Sequence, residues 1–344
     1  MRSALFRGRC ITISSLEKPS NDRILSSGYF VKKSLADVLF KVCRAVLIFG
    51  LCFLILQPLL DKLSVSFMSE QDLFDGTVIS IPRNFTLDNY RLTGTLLGYW
   101  PSLFQTLFIV LVSAVLQITA CTLAAYGFAR YKFPLKNLWF VCVMLIIIVP
   151  PQVIMASLYL NFRFFDVFGI FRLVTGEPIN MLNSFAGYWL LSATGMGLKS
   201  GLYIFILRQY FRGVPKDLEE AAYIDGCGRL RTFGQIMLPD AAPMLVSCFL
   251  FSFVWQWTDS FYSTLFLANY NMLATGLGSI AETFSRWWFA MNVAGGGAGL
   301  QAPVAHTQMI IATGMLMTLA PLILLYLVAQ KAFVESLAQT GIKM

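Results

Sequence analysis

Apolar stretches about twenty residues long recur along this chain, and they restrict its fold more than any other feature. A membrane-spanning helix needs about 20 predominantly apolar residues. Six segments qualify, at about 42–61, 103–128, 138–161, 184–207, 243–267 and 309–330. The second, third and sixth hold no charged residue, and the first is free of charge only from Ala45 to Leu60. Hydrophobic residues make up 57% of the 344 positions and charged residues 13%, too few charges to cover a soluble surface of that size. Because lipid satisfies no backbone polar group, spans of this length must be helices. The expectation is an all-α polytopic membrane protein with six transmembrane helices.

Orientation follows from Lys and Arg, which concentrate on the cytoplasmic side. With the N-terminus inside, nineteen of them fall in cytoplasmic segments and six in outer ones, while Lys199 lies within a span. Both termini are therefore expected in the cytoplasm. The net charge of +8 is then a topology signal, and its dispersal along membrane flanks speaks against nucleic-acid binding. Residues 1–41 form a polar, basic cytoplasmic extension, too long and mixed for a cleaved signal peptide. The first span, 42–61, reads as an uncleaved anchor. The seven cysteines lie in spans or on the inner side without metal-ligand spacing, which leaves no outer disulfide. The single histidine, His306, has no partner in sequence for a metal site.

Residues 62–102 read as a polar outer segment ending in the interfacial pair Tyr99-Trp100, followed by Pro101. The sequon-like Asn84-Phe85-Thr86 is short enough to arise by chance. Pro150-Pro151 should kink the third span, with neighbouring helices taking up the freed carbonyls, and Pro321 is placed to do the same in the sixth. Ala193, Gly197 and Gly201 recur every four residues, which on a continuous helix would form one small-residue face for close packing. The stretch 195–200 lacks the spacing of a phosphate loop and lies in a span, so any energy source is a partner or an ion gradient. Residues 269–308 read as a long outer segment with interfacial Trp287-Trp288-Phe289. The glycine run 295–299 within it is either a linker or a probe into a partner.

The inner segment 208–240 is the most structured loop by sequence. Pro215 suits a first helical turn. Asp217, Glu219 and Glu220 place negative charge near its positive end. Leu218, Ala221, Ala222 and Ile224 give an apolar side, and Gly226 ends the helix as a left-handed cap. A second short helix is expected to follow, with Leu238-Pro239 stopping it before the fifth span. Two short helices with a glycine elbow would then lie along the inner membrane surface, a small Ala-Ala face allowing another protein to dock. Glu220 and Asp225 could pair with a basic partner.

Seven positions of this loop, Glu220, Ala221, Ala222, Gly226, Ile236, Leu238 and Pro239, match the E-A-A-x-x-x-G-x9-I-x-L-P pattern of ABC-importer permeases. Phe85-Thr86-Leu87-Asp88-Asn89-Tyr90, Ala124–Pro134 and the tail Gly341-Ile342-Lys343 resemble the maltose-type, carbohydrate-uptake branch, so the likeness covers about 80–344. The fifth span has Trp257-Thr258-Asp259 where the branch usually has W-N-[DE], and Ser336 replaces a common glycine. The resemblance implies a type I importer permease fold, with a core of five spans at 103–334 and a tail at 335–344. It implies a transport subunit rather than an enzyme, in a bacterial or archaeal cytoplasmic membrane. A second, similar permease would complete a heterodimer, two ATPase subunits or domains would carry ATP and Mg, and an extracytoplasmic binding protein would deliver a sugar or oligosaccharide. Membrane lipid is the remaining partner, and this chain itself would bind no cofactor. Transport would proceed by alternating access, the loop residues Glu220, Ala221, Ala222, Asp225, Gly226, Ile236, Leu238 and Pro239 coupling it to ATP.

Lys199 and Asp259 are the candidates for substrate or gate contacts, because an intramembrane charge usually faces a cavity or a partner. Trp255, Trp257 and Tyr262 could supply aromatic platforms for a sugar, although aromatics at helical spacing also serve packing. Two other readings stay open. The same scaffold could carry a peptide or polyamine, or the chain could be an ion-coupled secondary transporter, which needs mid-membrane acids of which only Asp259 is a candidate.

Overall fold

The computed structural model describes residues 22–78, 81–167, 169–294 and 301–342. The glycine run 295–299 and most of the N-terminal extension lie outside the described residues. Among those described there is no β-sheet, only two isolated bridges, Met68 to Phe85 and Phe165 to Ile179. The chain divides into two units, one ending at Asp61 and one beginning at Lys62.

The first unit holds most of helix α1, Asp22–Ser66. From Val38 to Asp61 every side chain is exposed except half-buried Leu59. An outward row of Val, Leu, Phe and Ile is what lipid, not water, accommodates.

In the second unit α2, Glu70–Phe74, is capped by Ser69. It is pinned by Asp72, whose carboxylate accepts the Asn84 backbone N–H at 2.8 Å and the Asn84 side-chain amide at 2.9 Å. That backbone bond does most to hold the Asp72 carboxyl below its ordinary range. Helix α3, Asp88–Leu97, ends at Gly98, whose φ of +53° is the left-handed cap a glycine supplies.

Helix α4, Tyr99–Arg130, is the central post. Thr106, Ile109, Val110, Ser113, Ala114, Gln117, Ile118, Cys121, Ala125 and Tyr126 recur at the three-to-four-residue period and are all buried. Its upper residues join one apolar cluster with Leu191, Trp257 and Phe266, and its lower ones a second with Tyr203, Leu207, Phe211 and Met237.

The third, fourth and fifth spans are not the continuous helices expected from apolarity. The third is split into α5, Lys136–Ile148, and α6, Met155–Arg163, joined by a 3-10 turn at Pro151–Ile154 and bent by 102°. The prolines do more than kink the helix, because two consecutive residues without N–H groups leave no ladder across the break. After α7, Ile170–Thr175, the fourth span is likewise two helices, α8, Phe185–Ala193, and α9, Ser200–Gly213. Gly195 at φ +70° closes α8 with a paired turn, its N–H on the Ser192 carbonyl and that of Met196 on Leu191. The small-residue face therefore does not exist as one face. A Cβ on Gly197 would meet the Gln117 amide at 3.0 Å and one on Gly201 the Val143 carbonyl at 2.8 Å, so each glycine admits a different neighbour.

The inner loop contains α10, Asp217–Ile224, then α11, Arg229–Thr232, a π turn at Phe233–Met237 and α12, Leu238–Asp240. A 75° bend at Ala241 leads into α13, Ala242–Trp257, followed by α14, Phe261–Phe266. Residues 273–294, expected to be part of a long outer segment, form α15, Leu273–Ala294. Leu273, Leu277, Ile280, Phe284 and Trp288 repeat at helical spacing, and Ile280 and Phe284 are buried against Met309 and Ile310. Helix α16, Val304–Ile342, runs through Pro321 without interruption.

Three described helices, at Val38–Ser66, Tyr99–Arg130 and Val304–Lys331, are long and apolar enough to cross a membrane alone. Two bent pairs, α5 with α6 and α11–α12 with α13, reach that standard only together.

Candidate functional site: an inner-loop elbow and a cleft of helix breaks

Helix α10 begins with the N–H groups of Glu219 and Glu220 on the Lys216 carbonyl, one turn after Pro215. Gly226 at φ +81° ends it. Its N–H reaches the Tyr223 carbonyl at 3.1 Å and that of Cys227 the Ala222 carbonyl at 2.9 Å, the full two-bond closure of a left-handed cap. No heavy atom lies within 4 Å of where a Gly226 Cβ would stand, so the position is selected by backbone conformation alone.

The two faces of α10 differ sharply. Ala222 and Glu219 are buried, while Glu220, Ala221, Tyr223, Ile224 and Asp225 are exposed. Ile224 is 86% exposed and Leu230, across the elbow, 88%. Two large apolar side chains held out beside Glu220, Asp225, Arg229 and Arg231 suit a protein partner rather than lipid alone. Partial desolvation and the nearby Glu219 raise the Tyr223 hydroxyl above its ordinary range.

Leu238 and Pro239 do not stop the second helix. The Leu238 N–H bonds back to Phe233, five residues earlier, and the wider π turn makes room for a proline that has no N–H to give. Ile236 and Leu238 are half-buried, Pro239 is exposed, and Met237 between them is fully buried. The chain turns at Ala241 instead. There the Tyr210 hydroxyl donates to the Asp240 carbonyl at 2.6 Å and lies 3.1 Å from its carboxylate. Burial, reinforced by Asp240, pushes that phenol up to about 12.

A contact that sequence patterns did not single out holds the other side of the loop. Arg130, the last residue of α4, lies with its Nε 3.2 Å from Glu219 Oε1, both side chains largely buried. It also donates to the Val214 carbonyl at 2.8 Å. The Tyr126 hydroxyl donates to Glu219 at 3.0 Å. The signal was present as adjacent acids at 219 and 220, of which helical geometry can turn only one inward.

The candidate pathway residues divide into open and buried sets. The α5–α6, α8–α9 and α13–α14 breaks converge on one cleft of about 480 Å³, lined by Ile146–Gln152, Leu198, Lys199, Trp255 and Thr258–Phe261. Lys199 sits at the break with φ +62°, and its ammonium lies 5.1 Å from the centre of the half-open Trp255 ring. Asp259 lines the cleft, but its carboxylate accepts the N–H groups of Phe261, Tyr262 and Ser263 and so caps α14. Trp257 is buried, its indole N–H on the Thr318 carbonyl at 3.2 Å, and Tyr262 is buried among Phe261 and Phe266. Trp255 and Lys199 thus face the cleft, whereas Trp257 packs the core.

Beneath the cleft lies a buried polar node, also unforeseen. Gln117 of α4 donates to the Leu198 carbonyl at 2.8 Å and to Ser200 at 2.7 Å. Its carbonyl accepts from Ser252 at 2.6 Å and Gln256 at 2.8 Å. One side chain therefore ties α4, the α8–α9 break and α13. No group of metal-ligating residues occurs among the described residues.

Residues 117–339 match the family model of the binding-protein-dependent transport system inner membrane component. The chain belongs to that family. It is 32% identical over 223 residues, 64% of its length and 74% of the relative's, to a probable ABC transporter permease of Pyrococcus horikoshii. The maltodextrin transport system permease protein MdxG of Bacillus subtilis is 28% identical, over 90% of this chain and 99% of that one. Among solved structures, a chain from the crystal structure of a bacterial ABC transporter involved in the import of the acidic polysaccharide alginate shares the fold. It aligns with a TM-score of 0.63 at 19% identity, covering 87% of this chain and 98% of that one. The present chain is a multi-pass permease subunit of an ATP-driven importer. It is a transport subunit and not an enzyme, since ATP hydrolysis in this family resides in separate subunits.

Proposed function

We propose that this permease moves a sugar or oligosaccharide across the cytoplasmic membrane of a bacterium or archaeon, through six spans with both termini inside. It pairs with a second, similar permease to form a heterodimer. Two ATPase subunits or domains carrying ATP and Mg dock on residues 208–240, and an extracytoplasmic binding protein delivers the solute. ATP binding closes the ATPase pair and drives the loops together, and the spans rock between outward-open and inward-open states. The residues assigned to coupling are Glu220, Ala221, Ala222, Asp225, Gly226, Ile236, Leu238 and Pro239.

The observation that carries this reading is the elbow itself, a two-helix loop with a left-handed glycine joint and Ile224 and Leu230 held outward, in a chain of this family. The sugar assignment is supported by relatives named for maltodextrin and, in Halalkalibacterium halodurans, arabinooligosaccharides. The cleft offers what a sugar needs, the half-open indole of Trp255 beside the amide of Gln152 and the hydroxyls of Thr258 and Ser260. Lys199 and Trp255 are its contact residues, and Asp259 shapes it by capping α14.

The test is mass-spectrometric identification of what co-purifies with the chain from native membranes in mild detergent. An ATPase, a second permease and a saccharide-binding protein are expected. Recovery of the chain alone, active in vesicles without ATP, would overturn the reading in favour of a secondary transporter. A binding protein for a peptide or polyamine would overturn the sugar assignment only.

A further inference from the structure

Glu219 and Glu220 are adjacent in sequence and opposite in environment. Glu220 lies on the open face of α10, whereas Glu219 is 8% exposed and turned onto the end of α4. We infer that Glu219, with Arg130 and Tyr126, is the internal joint that passes movement of the docking loop into the membrane spans. The inference rests on the coupling reading of residues 208–240.

Three features of the cluster carry it. First, it grips both halves of the loop. Arg130 holds Val214 ahead of α10 and Glu219 within it. The Tyr126 hydroxyl reaches Glu219, while its ring packs on Phe233 of the π turn at 4.6 Å and on Phe211 of α9 at 5.5 Å. The elbow at Gly226 lies between these two points of attachment and touches neither.

Second, the attachment is polar and desolvated. An apolar contact could slide by a fraction of a turn at little cost. A buried guanidinium–carboxylate pair cannot part without leaving two charges unpaired, which makes the contact all-or-none. Third, the helix it acts on is rigid and leads somewhere. Tyr126 lies nine residues along α4 from Gln117, ~13 Å at 1.5 Å per residue. Gln117 is bonded to the Leu198 carbonyl, which belongs to the wall of the cleft. A shift of α10 therefore reaches the α8–α9 break through α4 without crossing a soft apolar layer. Glu219, Arg130 and Tyr126 are positioning residues, since none lines the cleft.

The experiment uses the assembled importer in proteoliposomes, with solute uptake and ATP hydrolysis measured together, and docking of the ATPase scored on the same preparations. Glu219→Gln is expected to lower solute transported per ATP by about tenfold while ATPase docking stays near wild type. Glu219→Asp, which keeps the charge, should recover part of that loss, a graded rescue that simple misfolding does not produce. Tyr126→Phe keeps the ring packing and should lower the ratio by about fivefold. If Glu219→Gln fails to assemble, Tyr126→Phe decides. A wild-type ratio in Tyr126→Phe, or in an assembled Glu219→Gln, overturns the inference. Gly226→Pro serves as the control on the underlying reading. Normal coupling in that variant would refute the coupling role of the loop, whereas uncoupling in Gly226→Pro alone would refute only the Glu219 joint.

Discussion

The elbow at Gly226 allows a graded perturbation in which only backbone conformation changes. Its φ of +81° is a region where a residue with a Cβ pays ~1–2 kcal/mol, and no neighbour stands within 4 Å to add a clash. Gly226→Ala should thus cost the local turn about that amount and nothing more. Gly226→Asn should cost less, because Asn tolerates the left-handed region. Proline is different in kind. Its ring fixes φ near −65°, roughly 145° away from the native value. It also removes the N–H that bonds to Tyr223, worth ~0.5–1.5 kcal/mol. Finally, it pushes Asp225, now at φ −73° and ψ 6°, toward an extended conformation. The turn cannot form, and the Cys227 to Ala222 bond is lost with it. In proteoliposomes containing the whole importer, solute moved per ATP should stay near wild type for Asn, fall modestly for Ala and collapse for Pro. Wild-type transport by Gly226→Pro would refute the lever. An Ala variant as impaired as Pro would refute the backbone argument, since it would mean that a partner occupies the space at the elbow.

Other outcomes follow from single contacts. Glu220→Ala removes an exposed acid, and an exposed ion pair is worth about 0–1 kcal/mol, so affinity for the ATPase measured by titration should weaken by no more than about fivefold. Gly201→Ala places a Cβ 2.8 Å from the Val143 carbonyl and 2.9 Å from Ile147, an overpacking cost of ~1–3 kcal/mol. Gly127→Ala meets nothing and should be neutral or slightly stabilising in thermal unfolding. Asp72 has a lowered native pKa, so its stabilisation is present above the ordinary carboxylate value of about 4 and is lost as pH falls through the lower native value. Acid titration of the unfolding midpoint should therefore be shallower for Asp72→Asn than for wild type.

The sequence marks those features that a local pattern decides. The long apolar run of α4, the glycine joint at 226 and the break at Pro150-Pro151 each leave a signature within a few residues. Features that depend on which neighbour arrives are less visible. Residues 184–207 carry a single charge, Lys199, in an otherwise largely apolar run, so the turn at Gly195 is hidden although the residue that makes it is in view. Helix α15 does not stand out as a span because its polar face lowers its hydropathy, while its apolar residues keep the helical period. Pro239 looked like a stop, and only the π turn before it explains how the helix passes. The inward turn of Glu219 and the four bonds of Gln117 depend on α4, α9 and α13 meeting, which spacing along one segment does not encode.

The three helix breaks explain one another. In hydrocarbon every backbone N–H and C=O must find a partner, so irregular chain is tolerated only where it is buried in protein or lines a polar cavity. Had the breaks at 149–150, 194–199 and 258–260 been packing accidents, they would have no reason to meet. Instead all three line one cleft, and two of them are supported from behind by specific bonds. Gly195 and Met196 close the end of α8, Asp259 caps the start of α14, and Gln117 holds Leu198. A span broken this way places backbone carbonyls and side chains such as Lys199 at depths where an intact helix offers only apolar surface. The same breaks divide the spans into short rods, and short rods joined at polar nodes can be reoriented by a push from the loop end without unpacking their cores. The construction that interrupts the long helices expected from apolarity is thus the one a permease needs.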